Sequence, residues 1–300
     1  MSVAQLKIAL VTARQRPEVN VDHDMSSLCQ ALLDAGVSAE AAAWDDPSLE
    51  WSSFDLVVIR SPWDYSWRST EFLSWVDEAA TKTRLANPAK LVHWNANKEY
   101  LKVLAEKGVP VVPTSYIWPE DPIELPRDHE FVVKPAVGAG ARYAARYRPE
   151  ESAAAAEHVA KIQATGVPVM MQPYLHNIDV TGERALVFLH GTFLHAIRKR
   201  AVLSPGLRFD APRDAHPGTE PWTPTADERA LAAQALEAVP NSRDLLYARV
   251  DMADGPDGRP IITELELVEP GLYLRFHKGS ERVFADAIIR HAQSVTREGA

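Results

Sequence analysis

The chain has a single cysteine, Cys29. No internal disulfide can form, so the fold must rest on a buried core, and the count fits a reducing cytoplasm. No apolar run is long enough to cross a bilayer, so no membrane partner is expected. The opening residues 1–12 lack the basic-then-apolar layout and cleavage site of a signal peptide and read as a first strand. Positive charge is scarce too. A total of 32 lysines and arginines against 41 acids leaves a net charge of −9, which argues against an extended nucleic-acid surface. A local basic pocket remains compatible with it. The 10 histidines show no metal-ligand spacing, which speaks against zinc. Repeats and low-complexity tracts are missing as well. What remains is a 300-residue chain, 46% hydrophobic, with enough apolar material for one to three compact units.

The most informative stretch is residues 247–274. Two extended runs flank the turn cluster Asp254, Gly255, Pro256, Asp257 and Gly258, which reads as a β-hairpin. Side chains alternate along a strand. Arg249 and Asp251 therefore share one face, Glu264 and Glu266 share one face of the partner strand, and Val250, Met252, Leu265 and Leu267 turn to a core. Carboxylates this close repel one another unless something positive joins them. A hard divalent cation such as Mg²⁺, held by one or two carboxylates plus phosphate oxygens, fits the spacing. A half-exposed strand shows the same Glu-Leu-Glu alternation without any metal. The hairpin alone leaves both readings open.

Upstream, residues 6–12, 37–44 and 54–60 read as strands and 24–35 as a helix, a β-α-β-β order that predicts a small open sheet with helices on its faces. Ligands on such sheets sit beyond the carboxyl ends of strands. Those ends carry Arg14 and then Ser61, Trp63, Asp64 and Tyr65. The aromatic pair fits substrate contact and a loop packed on the sheet equally well. A helix follows at 72–80. Lys98 precedes a helix at 101–107, which Gly108 closes, and the proline-rich residues 118–127 read as a linker. A buried strand, 130–135, ends at Lys134 and runs into Gly138, Ala139, Gly140, Ala141 and Arg142. Small residues let backbone N–H groups approach phosphate closely, though an ordinary hairpin turn looks the same. The pattern is neither a Walker loop nor a dinucleotide fingerprint. Next come a helix at 150–164, a strand at 167–174, a turn at 179–183, and antiparallel strands joined at His190-Gly191. A long polar loop covers 203–225. A helix starts at Thr225, with Glu228 three residues on as a capping box. The last helix spans 280–294.

The order of these features resembles the ATP-grasp superfamily of carboxylate–amine ligases over residues 95–274; glutathione synthetase and D-alanine–D-alanine ligase are familiar members. The resemblance implies an α/β (α+β) ATP-grasp fold. An N-terminal open α/β substrate domain (1–94) would precede two α+β subdomains, 95–175 and 176–300, that grip ATP. It implies that Lys98 and Lys134 contact nucleotide phosphates, and that Gly138, Ala139, Gly140, Ala141 and Arg142 form the loop that closes over them. Gln172, Pro173, Tyr174 and Leu175 would hold the adenine, and Asp179 or Glu183 the ribose. Asp251, Glu264 and Glu266 would bind Mg²⁺, with two ions expected. Arg249 would contact the transferred phosphoryl group, with Arg198 and Lys199 facing phosphate or substrate. The chain departs from the pattern in three places: Glu266 stands where Asn is typical, the closing loop lacks a serine, and the adenine segment starts at Gln172 instead of Glu.

Arg-Ser-Pro-Trp-Asp-Tyr, Trp-Asn-Ala-Asn-Lys, Gln-Pro-Tyr-Leu, Phe-Leu-His-Ala-Ile-Arg-Lys and Leu-Glu-Leu-Val-Glu-Pro-Gly-Leu-Tyr-Leu resemble the branch that contains D-cycloserine synthetase. This narrower resemblance implies a small amino-acid-like substrate, O-ureido-D-serine, activated as an acyl phosphate and cyclised with release of ADP and phosphate. Arg14, Ser61, Trp63, Asp64, Tyr65, Glu269 and Gly271 are then the expected substrate contacts. By analogy with relatives, a homodimer or tetramer is expected. Three other readings stand beside it: a ligase joining a carboxylate to an external amine, a nucleotide-binding regulator without catalysis, and a structural metal- or anion-binding module. Cys29, on an apolar helical face, reads as core.

Overall fold

The computed structural model describes residues 6–14, 21–211 and 218–294. The chain begins with β1 (Lys7–Thr12), α1 (Met25–Asp34), β2 (Ser38–Ala43), β3 (Leu56–Ser61), α2 (Ser69–Lys82) and β4 (Leu85–Ala86). These strands form a parallel sheet in the order β2-β1-β3-β4. All six residues of β3 are buried, as expected of a parallel strand covered on both faces. The fourth strand is only two residues long, too short to leave a periodic signal.

Next come α3 (Ala89–Ala96), α4 (Tyr100–Glu106), β5 (Ser115–Ile117), β6 (Phe131–Pro135), β7 (Ala145–Tyr147), α5 (Ser152–Gln163) and β8 (Val169–Pro173). Their strands make an antiparallel sheet, β5-β8-β6-β7, packed against α5 through Ala155, Val159 and Ile162. The chain continues with α6 (Ile178–Thr181), β9 (Glu183–Leu189), β10 (Thr192–Lys199), β11 (Glu220–Trp222), α7 (Ala226–Glu237), β12 (Tyr247–Asp254), β13 (Pro260–Glu266) and α8 (Ser280–Gln293). The third sheet is antiparallel, in the order β11-β10-β9-β12-β13.

Several expectations hold. His190 and Gly191 both have positive φ (46° and 71°) and join β9 to β10, as a tight hairpin turn requires. Thr225 and Glu228 form the capping box at the start of α7. The turn expected at 179–183 is instead the short helix α6, ended by Gly182 at φ 75°. A Cβ at Gly182 would collide with the Lys199 carbonyl oxygen, so only glycine lets the chain pass this close to β10. The loop expected at 203–225 contains β11, and residues 212–217 within it lie outside the described residues, as do residues 1–5 of the expected opening strand. No helix among the described residues is long and apolar enough to cross a membrane.

The third sheet is a wall shared by two cores. Leu186, Phe188, Ala248 and Val250 pack with α7 and with Leu91, Tyr100, Leu101 and Leu104 of α3 and α4. Val187, Leu189 and Tyr247 pack with Ile8 and Leu10 of β1, Leu28 and Leu32 of α1, and Phe284 and Ile288 of α8. The boundary drawn at 94/95 therefore falls inside α3, and α4 shares its core with the third sheet. Cys29 packs against the second of these cores.

β13 is an edge strand, whose outward N–H and C=O groups need partners once buried. α3 and α4 supply them. Asn95 Nδ2 donates to the Leu265 carbonyl (2.8 Å) and its Oδ1 accepts from Leu267 N–H (2.7 Å). The Tyr100 hydroxyl accepts from Leu265 N–H (3.0 Å). Asn87 ties the same segment to β12, donating to the carbonyls of Tyr247 and Leu267 (2.9 and 2.7 Å) and accepting from Leu246 N–H (2.8 Å). These bonds set the rotation of β13, and so the face on which Glu264 and Glu266 emerge.

Candidate active site

Residues from all three sheets and their loops line one cavity of about 740 Å³. Its charged wall comes from β9, β10, β12 and β13, as strand alternation dictates. Arg249 stands opposite Glu266 and Asp251 opposite Glu264 in the β12–β13 ladder, so the four side chains emerge together. Arg249 grips Asp251 with both prongs (2.7 and 2.8 Å), and also reaches Glu266 and the Gly271 carbonyl (3.1 Å). Lys199, at the end of β10, bridges Asp251 (3.1 Å) and Glu183 (2.9 Å). Thr263 Oγ1 donates to the other Glu183 oxygen (2.7 Å). Lys98 pairs with Glu264 (3.0 Å) and donates to the Gly138 carbonyl.

Arg249, Asp251 and Lys199 are buried in this wall, while the Glu183, Glu264 and Glu266 side chains keep 20–23% exposure to the cavity. Burial opposes charge on Asp251, but Arg249 and Lys199 outweigh it and hold the carboxyl below its usual range. Glu266 is pushed up to about 8, first by burial and then by Glu264, Asp251 and Glu269, with Arg249 opposing. Burial lowers Lys98, yet Glu264 more than compensates and its ammonium is stabilised. Lys134 is lowered by burial, which its surrounding acids do not fully offset.

Opposite lies the loop after β6. Gly140, Ala141 and Tyr143 all take positive φ (63°, 57° and 54°), a strained conformation for the latter two. Arg142 reaches across to lie 4.0 Å over the Trp67 ring of the N-terminal layer. Between the two sides, Val112, Val132, Leu175 and Ile178 supply apolar lining.

Most of the expected residues meet here: Lys98, Lys134, Gly138, Ala139, Gly140, Ala141, Arg142, Gln172, Pro173, Tyr174, Leu175, Glu183, Lys199, Arg249, Asp251, Glu264, Glu266, Trp63, Glu269 and Gly271 line the cavity. Six do not. Asp179 is held outside by the Tyr174 hydroxyl and Arg146 (3.1 Å), so of the two acids expected at a ribose it is Glu183 that lines the cavity. Arg198 points the other way on β10 and pairs with Glu220. Arg14 pairs with Asp45 (3.1 Å), and the Ser61 hydroxyl donates to Thr12 Oγ1 (3.1 Å). Asp64 is wholly buried between Trp44 Nε1 (2.8 Å) and Arg68 (3.0 Å). Tyr65 is buried behind the wall, hydrogen-bonded to Glu269. Sequence reasoning missed Trp67, Tyr143, Arg200, Phe209 and Thr263, which also line the cavity. Thr263, Arg200 and Tyr143 had a local signal, as neighbours of Glu264, Lys199 and Arg142.

Among the described residues no three His, Cys, Asp or Glu side chains converge closely enough to hold a metal ion by themselves. Asp251 has both oxygens committed to Arg249 and Lys199. Glu264 and Glu266 each have one oxygen engaged, by Lys98 and Arg249, and present the other on the same face as a hard donor. They suit Mg²⁺, which takes one or two carboxylates and fills its shell with phosphate oxygens and water.

A family model described as the N-terminal domain of the D-cycloserine synthetase DcsG matches residues 8–87. The cycloserine biosynthesis protein DcsG of Streptomyces lavendulae is 38% identical over 298 residues, covering 94% of this chain and 97% of that one. The chain belongs to the DcsG family. The crystal structure of D-cycloserine synthetase DcsG superposes with a TM-score of 0.85 at 34% identity, covering 96% of this chain and all of that one. A D-alanine–D-alanine ligase from Bacillus anthracis, solved with ATP, shares the fold at 15% identity, with a TM-score of 0.66 over 98% of this chain and 100% of its own. This DcsG-family member is an ATP-dependent ligase with the ATP-grasp fold.

Proposed function

We propose that the protein cyclises O-ureido-D-serine to D-cycloserine, using ATP to activate the carboxylate. The observation that carries the reading is the meeting, in one cavity, of Lys98 and Lys134 from separate segments with the Arg249–Asp251–Glu264–Glu266 hairpin. Identity with a cycloserine-biosynthesis protein along nearly the whole chain supports the choice of substrate.

Phosphoryl transfer needs alignment and charge neutralisation more than covalent help. Lys98 and Glu264 neutralise each other. Lys98 and Lys134 meet phosphate oxygens, and Glu264 and Glu266 would hold Mg²⁺, which would supply neutralisation of the phosphate charge. Arg249, with its planar fork, orients the transferred phosphoryl group, which a lysine cannot do in the same way. Glu183 meets the ribose, and the apolar lining near Leu175 and Ile178 meets the adenine. The loop at 138–142 excludes water, which would hydrolyse an acyl phosphate.

A substrate carboxylate oxygen attacks the γ-phosphorus and ADP leaves. The nitrogen bonded to the side-chain oxygen then attacks the acyl carbon, phosphate leaves with the former carboxylate oxygen, and a five-membered ring closes. Loss of the carbamoyl group consumes one water and yields carbon dioxide and ammonia. The test is ADP release with O-ureido-D-serine, with the ring product followed by mass spectrometry. Stoichiometric ADP and ring product without any added amine supports the reading. Turnover only with a second amine makes the protein an intermolecular ligase instead.

A further inference from the structure

Five acids of the cavity wall have an ion-pair partner: Glu183 with Lys199, Asp251 with Arg249 and Lys199, Glu264 with Lys98, Glu266 with Arg249, and Asp210 with Arg208. Glu269 lines the same cavity, is only 6% exposed, and has no cation within ion-pair distance among the described residues. Its carboxylate is held by a neutral donor, the Tyr65 hydroxyl. Burial pushes its carboxyl up to about 7, with Lys98 and Arg249 opposing from beyond ion-pair distance, and a buried carboxylate is normally matched by a cation in contact with it.

The backbone around Glu269 is fixed with unusual thoroughness. Trp63 Nε1 donates to the Glu269 carbonyl (3.0 Å), the wholly buried Arg60 to the Pro270 carbonyl (3.2 Å), and Arg249 to the Gly271 carbonyl (3.1 Å). Three consecutive carbonyls are thus pinned, two by the N-terminal layer and one by the arginine of the hairpin. Carbonyl by carbonyl, this segment is held so that the Glu269 side chain stays at the cavity wall. Preorganised polar groups of this kind are what binding sites require.

We propose that Glu269 is the seat of the substrate's α-ammonium group, and that it makes the free amine a condition for productive binding. In an α-amino acid the ammonium nitrogen is two bonds from the carboxyl carbon. An acid that reacts beside Arg249 therefore carries its ammonium to the neighbouring wall, where Glu269 is the carboxylate left without a cation. This inference rests on the ring-closing reading above and adds the group that selects the substrate.

The test compares O-ureido-D-serine with 3-(ureidooxy)propanoate, the same acid without its amine, in the parent protein and in Glu269→Gln. ADP release gives kcat and KM for each acid, and calorimetry with ATP checks that the variant is folded. The parent is expected to prefer the amine-bearing acid by roughly 100-fold or more in kcat/KM, because a site built for a polar group is left unmatched by the analogue lacking it. In Glu269→Gln that preference collapses to a few-fold. KM for O-ureido-D-serine rises roughly 10- to 100-fold while kcat and ATP binding change little, the signature of lost uniform binding. Glu269→Asp, which keeps the charge on a shorter arm, retains part of the preference and covers a failure of the glutamine variant to fold. A preference undiminished in both variants overturns the inference and leaves the ring-closing reading standing. So does a fall in kcat at unchanged KM, which assigns proton transfer to Glu269 instead. A parent protein that releases no ADP with O-ureido-D-serine contradicts the ring-closing reading itself, and the inference falls with it.

Discussion

The two walls of the cavity are held in opposite ways. On the hairpin side, functional groups are side chains on adjacent strands, bound to one another by ion pairs and to α3 and α4 through the edge of β13. On the loop side, the chain at 138–143 is partly exposed, offers small residues and backbone, and carries three left-handed residues. One wall is rigid because its charges would be costly unpaired; the other can move because few packed side chains hold it. The difference assigns them different work. On the proposed reading, the hairpin wall sets where charge is neutralised, and the loop wall decides when water is shut out.

Substitutions can break that contrast. Arg249→Met should have the largest effect, because it leaves Glu266 without its cation and Asp251 with Lys199 alone. A loss of about 3–5 kcal/mol in urea unfolding is expected, with ADP release abolished. Next is Asn95→Ala, far from the chemistry, which strips a buried carbonyl and a buried N–H of β13 of their partners. Unfolding should cost about 2–4 kcal/mol less, and ADP release should fall in step because Glu264 and Glu266 lose their orientation. An unfolding free energy that stays at the parent value would show that α3 does not hold the edge.

The third sheet should also respond to acid. His195 is buried on β10, and its Nε2 meets the Leu272 carbonyl at 2.9 Å. Burial, and then His277, depress its pKa to about 4, with the Leu272 carbonyl opposing. The folded state therefore refuses a proton that the unfolded chain accepts. Its contribution is fully present above the unfolded value near 6.5 and is lost as pH falls toward 4. Stability should drop by about 1–3 kcal/mol between pH 7 and pH 4.5 on this account, and His195→Gln should flatten the slope. The smallest stability change belongs to the loop. Gly140→Val puts a β-branched residue at φ 63°, yet should cost no more than about 1–2 kcal/mol. Its effect should appear instead as roughly 10-fold weaker ATP binding, about 1.4 kcal/mol by the usual conversion.

How much of this could be read from the chain follows from the range of each interaction. Period-two alternation placed Arg249, Asp251, Glu264 and Glu266 on one face, and the ladder register agrees. The Thr225–Glu228 cap and the His190-Gly191 turn were legible because they are local. The bonds from Asn87, Asn95 and Tyr100 to the hairpin bridge more than 150 residues, and no local pattern announces them. Strand-end position suggested Arg14, Ser61 and Asp64 as contacts, but neighbouring carboxylates, a threonine and a tryptophan claim them. Between Asp179 and Glu183, spacing could not choose. Gly182 ends α6, so the chain enters β9 with Glu183 beside Lys199 and in the cavity lining.

The central claim is that the paired charges of the hairpin wall serve to activate a carboxylate as an acyl phosphate. It is tested most directly with O-ureido-D-serine carrying ¹⁸O in both carboxylate oxygens, in a single turnover followed by ³¹P spectroscopy of the released phosphate. The account predicts one labelled oxygen in each phosphate formed with the ring. Unlabelled phosphate alongside ring product would contradict it.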